Sequence, residues 1–319
     1  MAPDRATRLL APRLADLERR GLYRHRRIVE AAGPAGRLYV DGRSCVAFCS
    51  NDYLGLAQDP RLGETLAQAA AGCGAGSGAS HLVTGHHREH HRLEEALAGF
   101  TGRQRSLLFS TGYMANLGVA RALAGPGDAV FEDRLNHASL LDAGRLAGAE
   151  FVRYPHADAA ALEAAPATRP RGLRLVLTDG VFSMDGDVAP LPALAAACER
   201  HDALLAVDDA HGLGVIGATG RGCLEQHGLG DAEVPVLVGT LGKAFGSFGA
   251  FVAGSDALIE YLVQRARTYI YTTALPPAVA AATRRALEIA AAEPWRRAPP
   301  PPPPPPLPPP PAAPGLPLP

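Results

Sequence analysis

From about residue 46 to about residue 270, short apolar runs rich in β-branched residues alternate with Ala- and Leu-rich segments. The runs predict buried strands, because a strand covered on both faces has no polar side. The predicted strands are SLLFS, DAVFED, RLVLTDG, ALLAVDD, VPVLVGT and GAFVAG, and the clearest helices are residues 113–124 and LPALAAACERH. This alternation predicts an α/β protein with a mostly parallel sheet covered by helices on both faces, with VPVLVGT and GAFVAG both parallel strands.

The two ends of the chain have different patterns. The segment from about Leu9 to Arg27 has the spacing of an amphipathic helix, and GRLYVDGRSCVAF predicts a hairpin that turns at Asp41 and Gly42. The last 21 residues hold 15 prolines, which lack backbone N–H donors and cannot build a core. We therefore expect an N-terminal arm over residues 1–45, a large domain over 46–275, the start of a small, truncated C-terminal domain over 276–298, and a disordered tail over 299–319.

Composition restricts the possible classes of function. The 319 residues are 47% hydrophobic and 20% charged. Their formal charge of −1 lacks the excess positive charge that nucleic-acid binding requires. No run of eighteen apolar residues predicts a membrane span, and no apolar signal segment opens the chain, so we expect a cytoplasmic protein. The five cysteines are scattered, and Cys45 and Cys49 have no second pair at metal-binding spacing, so we predict reduced thiols and no metal site.

Polar residues follow three of the predicted strands. Asp208 is the first of the two aspartates that end ALLAVDD, with His211 three residues further on; Ser183 lies in a Gly/Asp loop after RLVLTDG; Thr240 ends VPVLVGT, and Lys243 lies three residues beyond it. The carboxyl ends of parallel strands meet at one edge of a sheet, where ligands bind. An amine in a partly apolar crevice can lose its proton and act as a nucleophile, although a surface lysine on a tight turn is the ordinary alternative.

Two further features complete a recognisable chemistry. In FSTGYMANLG, a strand runs through Gly112 and Tyr113 into a helix, whose free N–H groups can hold a phosphate, and NHASL places His137 on a polar turn. Each feature alone has an ordinary structural explanation. Together, an amine, a carboxylate, a phosphate site and an imidazole are the groups that pyridoxal 5′-phosphate (PLP) requires, because the carboxylate keeps the cofactor's ring nitrogen protonated.

Two other classes of function fit less well. A dinucleotide-binding dehydrogenase needs a G-x-G-x-x-G motif directly after an early strand, whereas GCGAGSGAS at residues 72–80 precedes the predicted strands. A non-catalytic interaction protein could present PPPPPPLPPPP as a ligand of SH3 or WW domains. A Schiff-base cofactor would colour the purified protein yellow, and neither alternative predicts colour.

Several longer motifs resemble one enzyme family, the α-oxoamine synthases. The motifs are NDYLGLA, HLVTGHHREHHRLEEALA, TDGVFSMDGD, DDAHGLGVIGATGRG and TLGKAFGSFGAFVAG, and the resemblance covers about residues 9–297. It implies a fold-type I PLP-dependent transferase, the fold of aspartate aminotransferase. The unbroken DDAHGLGVIG and GSFGAFVAG are most similar to the members that act in biotin synthesis.

The resemblance also implies roles for individual residues. Lys243 matches the Schiff-base lysine, Asp208 the partner of the ring nitrogen, and His211 the hydrogen-bond donor to the phenolic oxygen. The other matches are His137 stacked on the ring, Gly112 and Tyr113 at the phosphate, Ser183 and Thr240 as further cofactor contacts, and Arg24 in GLYRHRR as a substrate contact of the arm. Arg26 or Arg27 could take the place of Arg24.

The implied reaction is a decarboxylative condensation of L-alanine with a pimeloyl thioester, with either pimeloyl-CoA or pimeloyl-acyl carrier protein as the donor. The resemblance implies a homodimer as well. Other α-oxoamine synthases, of the 2-amino-3-ketobutyrate CoA ligase or 5-aminolevulinate synthase type, remain alternatives. They share the lysine and the aspartate but use a different amino acid.

The C-terminal end departs from the family pattern. Members continue beyond the equivalent of AAEPWRR with a small domain that closes over the substrate, whereas this sequence changes to proline at about residue 298. We interpret this change as a shifted reading frame or a truncated gene product. The helix PPAVAAATRRALEIAAAE is then expected to lose its apolar partners, which would leave the chain poorly soluble and catalytically impaired.

Overall fold

A computed structural model describes residues 4–32, 36–165 and 172–298. The chain divides into two compact units, residues 1–50 and 51–319, which are described separately. The proline-rich segment 299–319, for which we predicted disorder, lies outside the described residues.

The first unit holds one helix and a three-stranded antiparallel sheet. Helix α1 spans Arg5–Arg19, and the Asp4 carboxylate caps it by accepting the Thr7 N–H at 3.0 Å. The helix was predicted to continue to Arg27, which is wrong: the chain turns at Gly21, whose φ of +66° is left-handed. The strands are β1 (Val29–Ala32), β2 (Arg37–Val40) and β3 (Arg43–Val46), in the order β1-β2-β3.

The predicted hairpin turn is confirmed. Strands β2 and β3 pair Val40 with Arg43, so the two residues between them form the turn. Asp41 and Gly42 have φ values of +49° and +74°, as a two-residue hairpin turn of this hand requires. Asp and Gly tolerate this conformation better than other residues, which is why the pair predicts the turn.

The second unit is built on a seven-stranded sheet. Its order is β4-β10-β9-β8-β7-β5-β6. The strands are β4 (Arg105–Phe109), β5 (Ala129–Asp133), β6 (Glu150–Tyr154), β7 (Arg174–Asp179), β8 (Ala203–Asp208), β9 (Val236–Thr240) and β10 (Ala250–Gly254). All six predicted strands are present, and β6 is an additional edge strand. The mostly parallel sheet is confirmed, because β5 to β9 pair in parallel.

The direction of β10 differs from the prediction. GAFVAG was expected to be a parallel strand, but β10 is antiparallel to both of its neighbours, β4 and β9. The connection from β9 to β10 is only residues 241–249 and contains no helix. A parallel pair needs a crossover of about a dozen residues or more, so this short connection returns the chain in the opposite direction.

Helices cover both faces of the sheet. They are α2 (Pro60–Cys73), α3 (Arg88–Thr101), α4 (Gly112–Leu123), α5 (Ala138–Ala147), α6 (Ala159–Ala164), α7 (Leu191–Arg200), α8 (Cys223–His227), α9 (Asp256–Arg265), α10 (Arg267–Ile270) and α11 (Pro277–Ala292). In β7, Leu175 and Leu177 join a core with α4 and α5, whereas Val176 joins a second core with α7. Successive side chains of a strand point to opposite faces, so this division confirms the predicted layers.

Helix α11 does not lose its partners, contrary to the expectation for a truncated chain. Ala280, Ala286, Leu287 and Ile289 are buried in a core shared with α2 and α3. The end of the helix is held by an ion pair between Arg61 and Glu293, with 2.6 Å between Nη1 and Oε1. The prediction of an unpartnered apolar face on this helix is therefore wrong.

No helix within the described ranges 4–32, 36–165 and 172–298 is both long and apolar enough to cross a membrane.

Glu132, in β5, makes stability depend on pH. The side chain is fully buried, and burial raises its pKa to about 8, from about 4.5 in an ordinary carboxyl. The folded state therefore favours the protonated form. Its contribution is fully present below about pH 4.5 and is lost as pH rises through about 8, at up to about 1.4 kcal/mol per pH unit.

We expect Glu132→Gln to lack this component, because the amide stays neutral across the whole range. The free energy of unfolding in urea, measured for both proteins at pH 5, 7 and 9, should favour the variant progressively as pH rises. Parallel pH profiles for the two proteins would contradict a buried, protonated Glu132.

Candidate active site

Three neighbouring strands end in the polar residues that form one edge of the sheet. Asp179 is the last residue of β7, Asp208 of β8 and Thr240 of β9. Asp179 and Asp208 are directly paired in the parallel register, so their side chains leave the sheet at the same level. The predicted convergence at one strand-end crevice is therefore confirmed for Asp208 and Thr240.

Lys243 lies in the loop that joins β9 to β10. The loop is closed by hydrogen bonds from the N–H of Ser247 to the Leu241 carbonyl and from the N–H of Gly246 to the Lys243 carbonyl, both 2.9 Å. Gly246 has a φ of +60°, and a Cβ there would collide with the backbone of Leu56 and Ala57. The loop therefore needs glycine to fit against the segment that precedes α2.

Lys243 contacts an imidazole. Its Nζ is 2.8 Å from Nε2 of His211, and Nδ1 of His211 is 2.7 Å from the hydroxyl of Tyr53. Burial lowers the pKa of Lys243, and burial together with the Lys243 charge lowers the pKa of His211 to about 4. With a neutral ring, Tyr53 can donate to Nδ1 while Nε2–H donates to an unprotonated amine. Burial thus shifts Lys243 toward the neutral form, which acts as a nucleophile or base, while the Asp208 and Asp179 charges oppose this shift.

Asp208 belongs to a buried chain of polar groups. Its Oδ2 accepts from Nδ2 of Asn116 at 2.7 Å, and its Oδ1 accepts from the Ala210 N–H at 3.1 Å. The same Asn116 nitrogen donates to Ser139 Oγ at 2.9 Å, and Ser139 Oγ is 2.8 Å from Nδ1 of His137. Asn116 and Ser139 thus join Asp208 to His137, two residues selected independently from the sequence.

The carboxyl groups of Asp179 and Asp208, which are paired across β7 and β8, need positive charge nearby if both are to be ionised. Burial raises the pKa of Asp208. Burial and the neighbouring Asp208 raise the pKa of Asp179 to about 8, although its Oδ2 accepts the His137 N–H at 2.6 Å. Two adjacent buried carboxylates ionise together only with compensating positive charge, and a protonated Lys243 supplies part of it, because its charge lowers the pKa of both. A protonated nitrogen facing Asp208 would supply that charge, and the pyridine ring of PLP carries such a nitrogen.

A phosphate can bind at the start of α4. Thr111 caps this twelve-residue helix by accepting the Met114 N–H on Oγ1 at 3.2 Å. The N–H groups of Gly112 and Tyr113, the first two residues of the helix, have no partner within it, as in every helix. A Cβ at Gly112 would meet no atom within 4 Å, so there is open space beside the first turn of the helix. The Tyr113 hydroxyl donates to Asp142 at 2.5 Å, which ties this side chain to α5.

The remaining predicted residues have different positions. Thr240 shapes the lysine loop, because its Oγ1 donates to the Gly249 carbonyl at 3.3 Å. Ser183 lies in an exposed turn after β7, and no hydrogen bond within the described residues connects it to the other candidates. Arg24 lies in the first unit, in the exposed segment between α1 and β1.

Four residues of the site were not predicted from the sequence, and the number of lysines in the chain was not used. Tyr53, Asn116, Ser139 and Asp179 all lie inside quoted motifs, but nothing local distinguishes them from turn and cap residues. The count was available from the sequence: Lys243 is the only lysine among 31 Lys and Arg residues. Arginine stays protonated in proteins, so an otherwise arginine-only chain keeps lysine where the amine must lose its proton.

Comparison with known proteins identifies the class. A family model described as aminotransferase class I and II matches residues 43–298. Among solved structures, a serine palmitoyltransferase variant from S. paucimobilis with a bound PLP–myriocin aldimine superposes with a TM-score of 0.85 at 31% identity. The match covers 92% of this chain and 75% of that one. This chain therefore has the fold of the aminotransferase class, and the predicted fold-type I architecture is confirmed.

Relatives with assigned names specify the group within this class. A protein from Methylococcus capsulatus named 8-amino-7-oxononanoate synthase is 66% identical over 279 residues, covering 88% of this chain and 72% of that protein. One of the same name from Cellvibrio japonicus is 59% identical over 287 residues, covering 90% and 72%. The crystal structure of the enzyme of that name from Francisella tularensis matches with a TM-score of 0.69 at 34% identity, covering 78% and 70%. The chain belongs to the 8-amino-7-oxononanoate synthase family, as its motifs predicted.

Proposed function

We propose that this chain is a PLP-dependent acyltransferase of biotin synthesis. It condenses L-alanine with a pimeloyl thioester, carried on CoA or an acyl carrier protein, and yields 8-amino-7-oxononanoate, CO2 and the free thiol carrier. The observation that carries the proposal is the placement of the only lysine, Lys243, against His211 at the strand edge that holds Asp208. The 66% identity to an enzyme of this name supports the substrate assignment.

The residues at the strand edge fit PLP. Lys243 would hold the aldehyde carbon and Asp208 the ring nitrogen, while His211 would donate to the phenolic oxygen. The N–H groups of Gly112 and Tyr113 would bind the phosphate. The other proposed contacts are His137 on the ring face, with Ser183 and Thr240 at the periphery of the cofactor.

Lys243 has two tasks in this proposal. Bound PLP supplies an aldehyde for the substrate amine and a cationic ring that accepts electrons from the substrate α-carbon. When it does not hold the cofactor, the neutral Nζ of Lys243 would take the α-proton of the substrate. Its lowered pKa keeps more of the amine unprotonated near neutral pH than an exposed lysine would have. His211 and Tyr53 hold the amine in position through their 2.8 Å and 2.7 Å contacts.

Asp208 would keep the cofactor ring able to accept electrons. Its carboxylate would hold a proton on the ring nitrogen of bound PLP, while Asn116 orients Oδ2. By holding that proton, Asp208 would favour both removal of the substrate α-proton and the later loss of CO2.

The substrate contacts are His137 and an arginine of the arm. His137 would contact the thioester carbonyl, and Arg24 the acyl substrate, with Arg26 and Arg27 as alternatives for the latter. A homodimer is proposed as well, supported by large exposed side chains at Met184, Phe248 and Tyr271. The five cysteines are unpaired, which fits the reducing cytoplasm.

Titration of the PLP-loaded protein with L-alanine, glycine and L-serine tests the proposal. We expect L-alanine to change the visible absorption at the lowest concentration, and pimeloyl-CoA then to release CO2 and 8-amino-7-oxononanoate, detected by mass spectrometry. Turnover with glycine or L-serine in preference to L-alanine would indicate a sister enzyme. A protein that binds no PLP would overturn the cofactor assignment itself.

A further inference from the structure

The histidine-rich run HLVTGHHREHHRLEE has no role in the proposed reaction. In the structure, residues His81–Gly85 form a π-helical turn that leads into α3. His91 and Glu94 are three residues apart on α3 and therefore share one face of the helix. His86, in the preceding turn, faces them, and one ligand atom from each of these three side chains lies within 4.8 Å of the others.

Glu94 is held in place by the backbone. Its Oε1 accepts the Leu108 N–H at 3.0 Å, which ties the carboxylate to β4. The other oxygen, Oε2, is turned toward Nε2 of His86 at 3.8 Å. The carboxylate thus offers one oxygen to the cluster while the second is used by the protein.

His86 is oriented by a second histidine. Its Nδ1 is 2.9 Å from Nδ1 of His81, which leaves Nε2 facing Glu94. His81 is buried and stacked on Tyr269 with 4.8 Å between the ring centroids, so its ring is held in place and burial favours the neutral form. A neutral His81 can accept the Nδ1–H of His86. Histidines that ligate metals through one nitrogen characteristically donate the other N–H to an acceptor in this way.

His90 does not belong to the ligand set, although it is close by. Its Nδ1 accepts the His87 N–H at 2.9 Å, and its Nε2 is 2.7 Å from the Leu275 carbonyl, to which it donates. Both nitrogens are therefore used by the backbone. The ligand set that remains is the imidazoles of His86 and His91 and the carboxylate of Glu94, while Oε1 of the neighbouring Glu95 lies 3.5 Å from Nε2 of His91.

We propose that His86, His91 and Glu94 form a binding site for one divalent transition-metal ion of the zinc type. Two imidazoles and a carboxylate are a common zinc ligand set, which leaves a fourth position for water or a small ligand. A cavity of about 320 Å³ beside the cluster, lined also by Gln104 and Tyr269, has room for that ligand. The site uses none of the residues assigned to PLP, and it goes beyond the sequence-based expectation of no metal.

Zinc binding to the PLP-loaded full chain tests this proposal. Equilibrium dialysis against zinc chloride, with zinc measured by atomic emission, should find one saturable zinc per chain. His86→Ala and His91→Ala should each weaken the affinity at least about tenfold. The matched control is His227→Ala, because His227 is also an exposed histidine but lies at the end of α8. It should bind zinc as the wild type does, and PLP absorbance should be the same in all variants.

Glu94→Gln separates metal binding from folding. The amide keeps the volume and an acceptor for the Leu108 N–H, so circular dichroism should be unchanged while zinc affinity falls. The proposal is overturned if the wild type shows no saturable zinc, or if His86→Ala, His91→Ala or Glu94→Gln binds zinc like the wild type. An equal loss in His227→Ala would also overturn it, because it would show non-specific binding.

Discussion

Lys243→Ala is expected to abolish turnover while PLP still binds weakly. The N–H groups of Gly112 and Tyr113 and the carboxylate of Asp208 remain to hold the cofactor, but the only side-chain amine of the chain is gone. Loss of a positioned base alone costs about 10²–10⁴-fold, and here the group that holds the aldehyde is lost as well. Product formation from L-alanine and pimeloyl-CoA, with PLP content measured by absorbance, checks this result.

Lys243→Arg is the matched variant. A guanidinium keeps the positive charge and can still contact His211, but it does not lose its proton. We therefore expect Lys243→Arg to be as inactive as Lys243→Ala. Substantial turnover in Lys243→Arg would show that the site needs only a cation, and the proposed mechanism would be wrong.

Borohydride reduction gives the same assignment without an activity assay. Because Lys243 is the only lysine, reduced PLP in the wild type can be attached only there or to the N-terminal amine. Peptide mapping should find it in the peptide that contains LGKAFGSFG. A label that persists in Lys243→Ala would contradict the assignment.

Asp208→Asn is expected to keep the fold and to slow removal of the α-proton on the order of a hundredfold or more. The amide matches the carboxylate in shape, but it cannot hold a proton on a ring nitrogen. Exchange of the α-proton of L-alanine in D2O, followed by NMR, measures this step without the acyl substrate. Circular dichroism and thermal unfolding check that the variant is folded.

Asp209→Asn is the control, because Asp209 is the adjacent residue and is also buried. Its Oδ2 accepts the Cys223 N–H at 2.7 Å, and its side chain packs against Gly212 and Gly222, so it holds the following loop. We expect Asp209→Asn to reduce thermal stability more than proton exchange. Near wild-type exchange in Asp208→Asn with loss in Asp209→Asn would reverse the two assignments.

Local sequence patterns were enough to predict most strands and to select the functional residues at their ends. Apolar runs predicted six of the seven strands in the large sheet, and Asp41-Gly42 predicted the hairpin turn. Lys243 and Asp208 could be selected because each follows such a run directly, and strand ends meet in a parallel sheet. These features depend on residues near one another in the chain, so the sequence carries them.

The direction of β10 and the helices that pack on α11 were decided by the tertiary structure. The direction of β10 follows from its short connection to β9, and α11 is buried because α2 and α3, about two hundred residues earlier in the chain, cover it. The prediction that α11 loses its apolar partners was wrong because the sequence pattern does not show that α2 and α3 pack on it. No local pattern specifies which distant apolar face a helix will meet.

The sequence by itself determined the family, six of the seven strands of the large sheet and the lysine of the proposed site. Only the tertiary structure decided which polar groups touch: Tyr53 and His211 are 158 residues apart, and Asn116 and Asp208 are 92 apart. Such contacts depend on the order of strands in the sheet and on the packing of helices over it. Residue type and spacing along the chain do not encode them, because they arise only when distant segments pack around a common core.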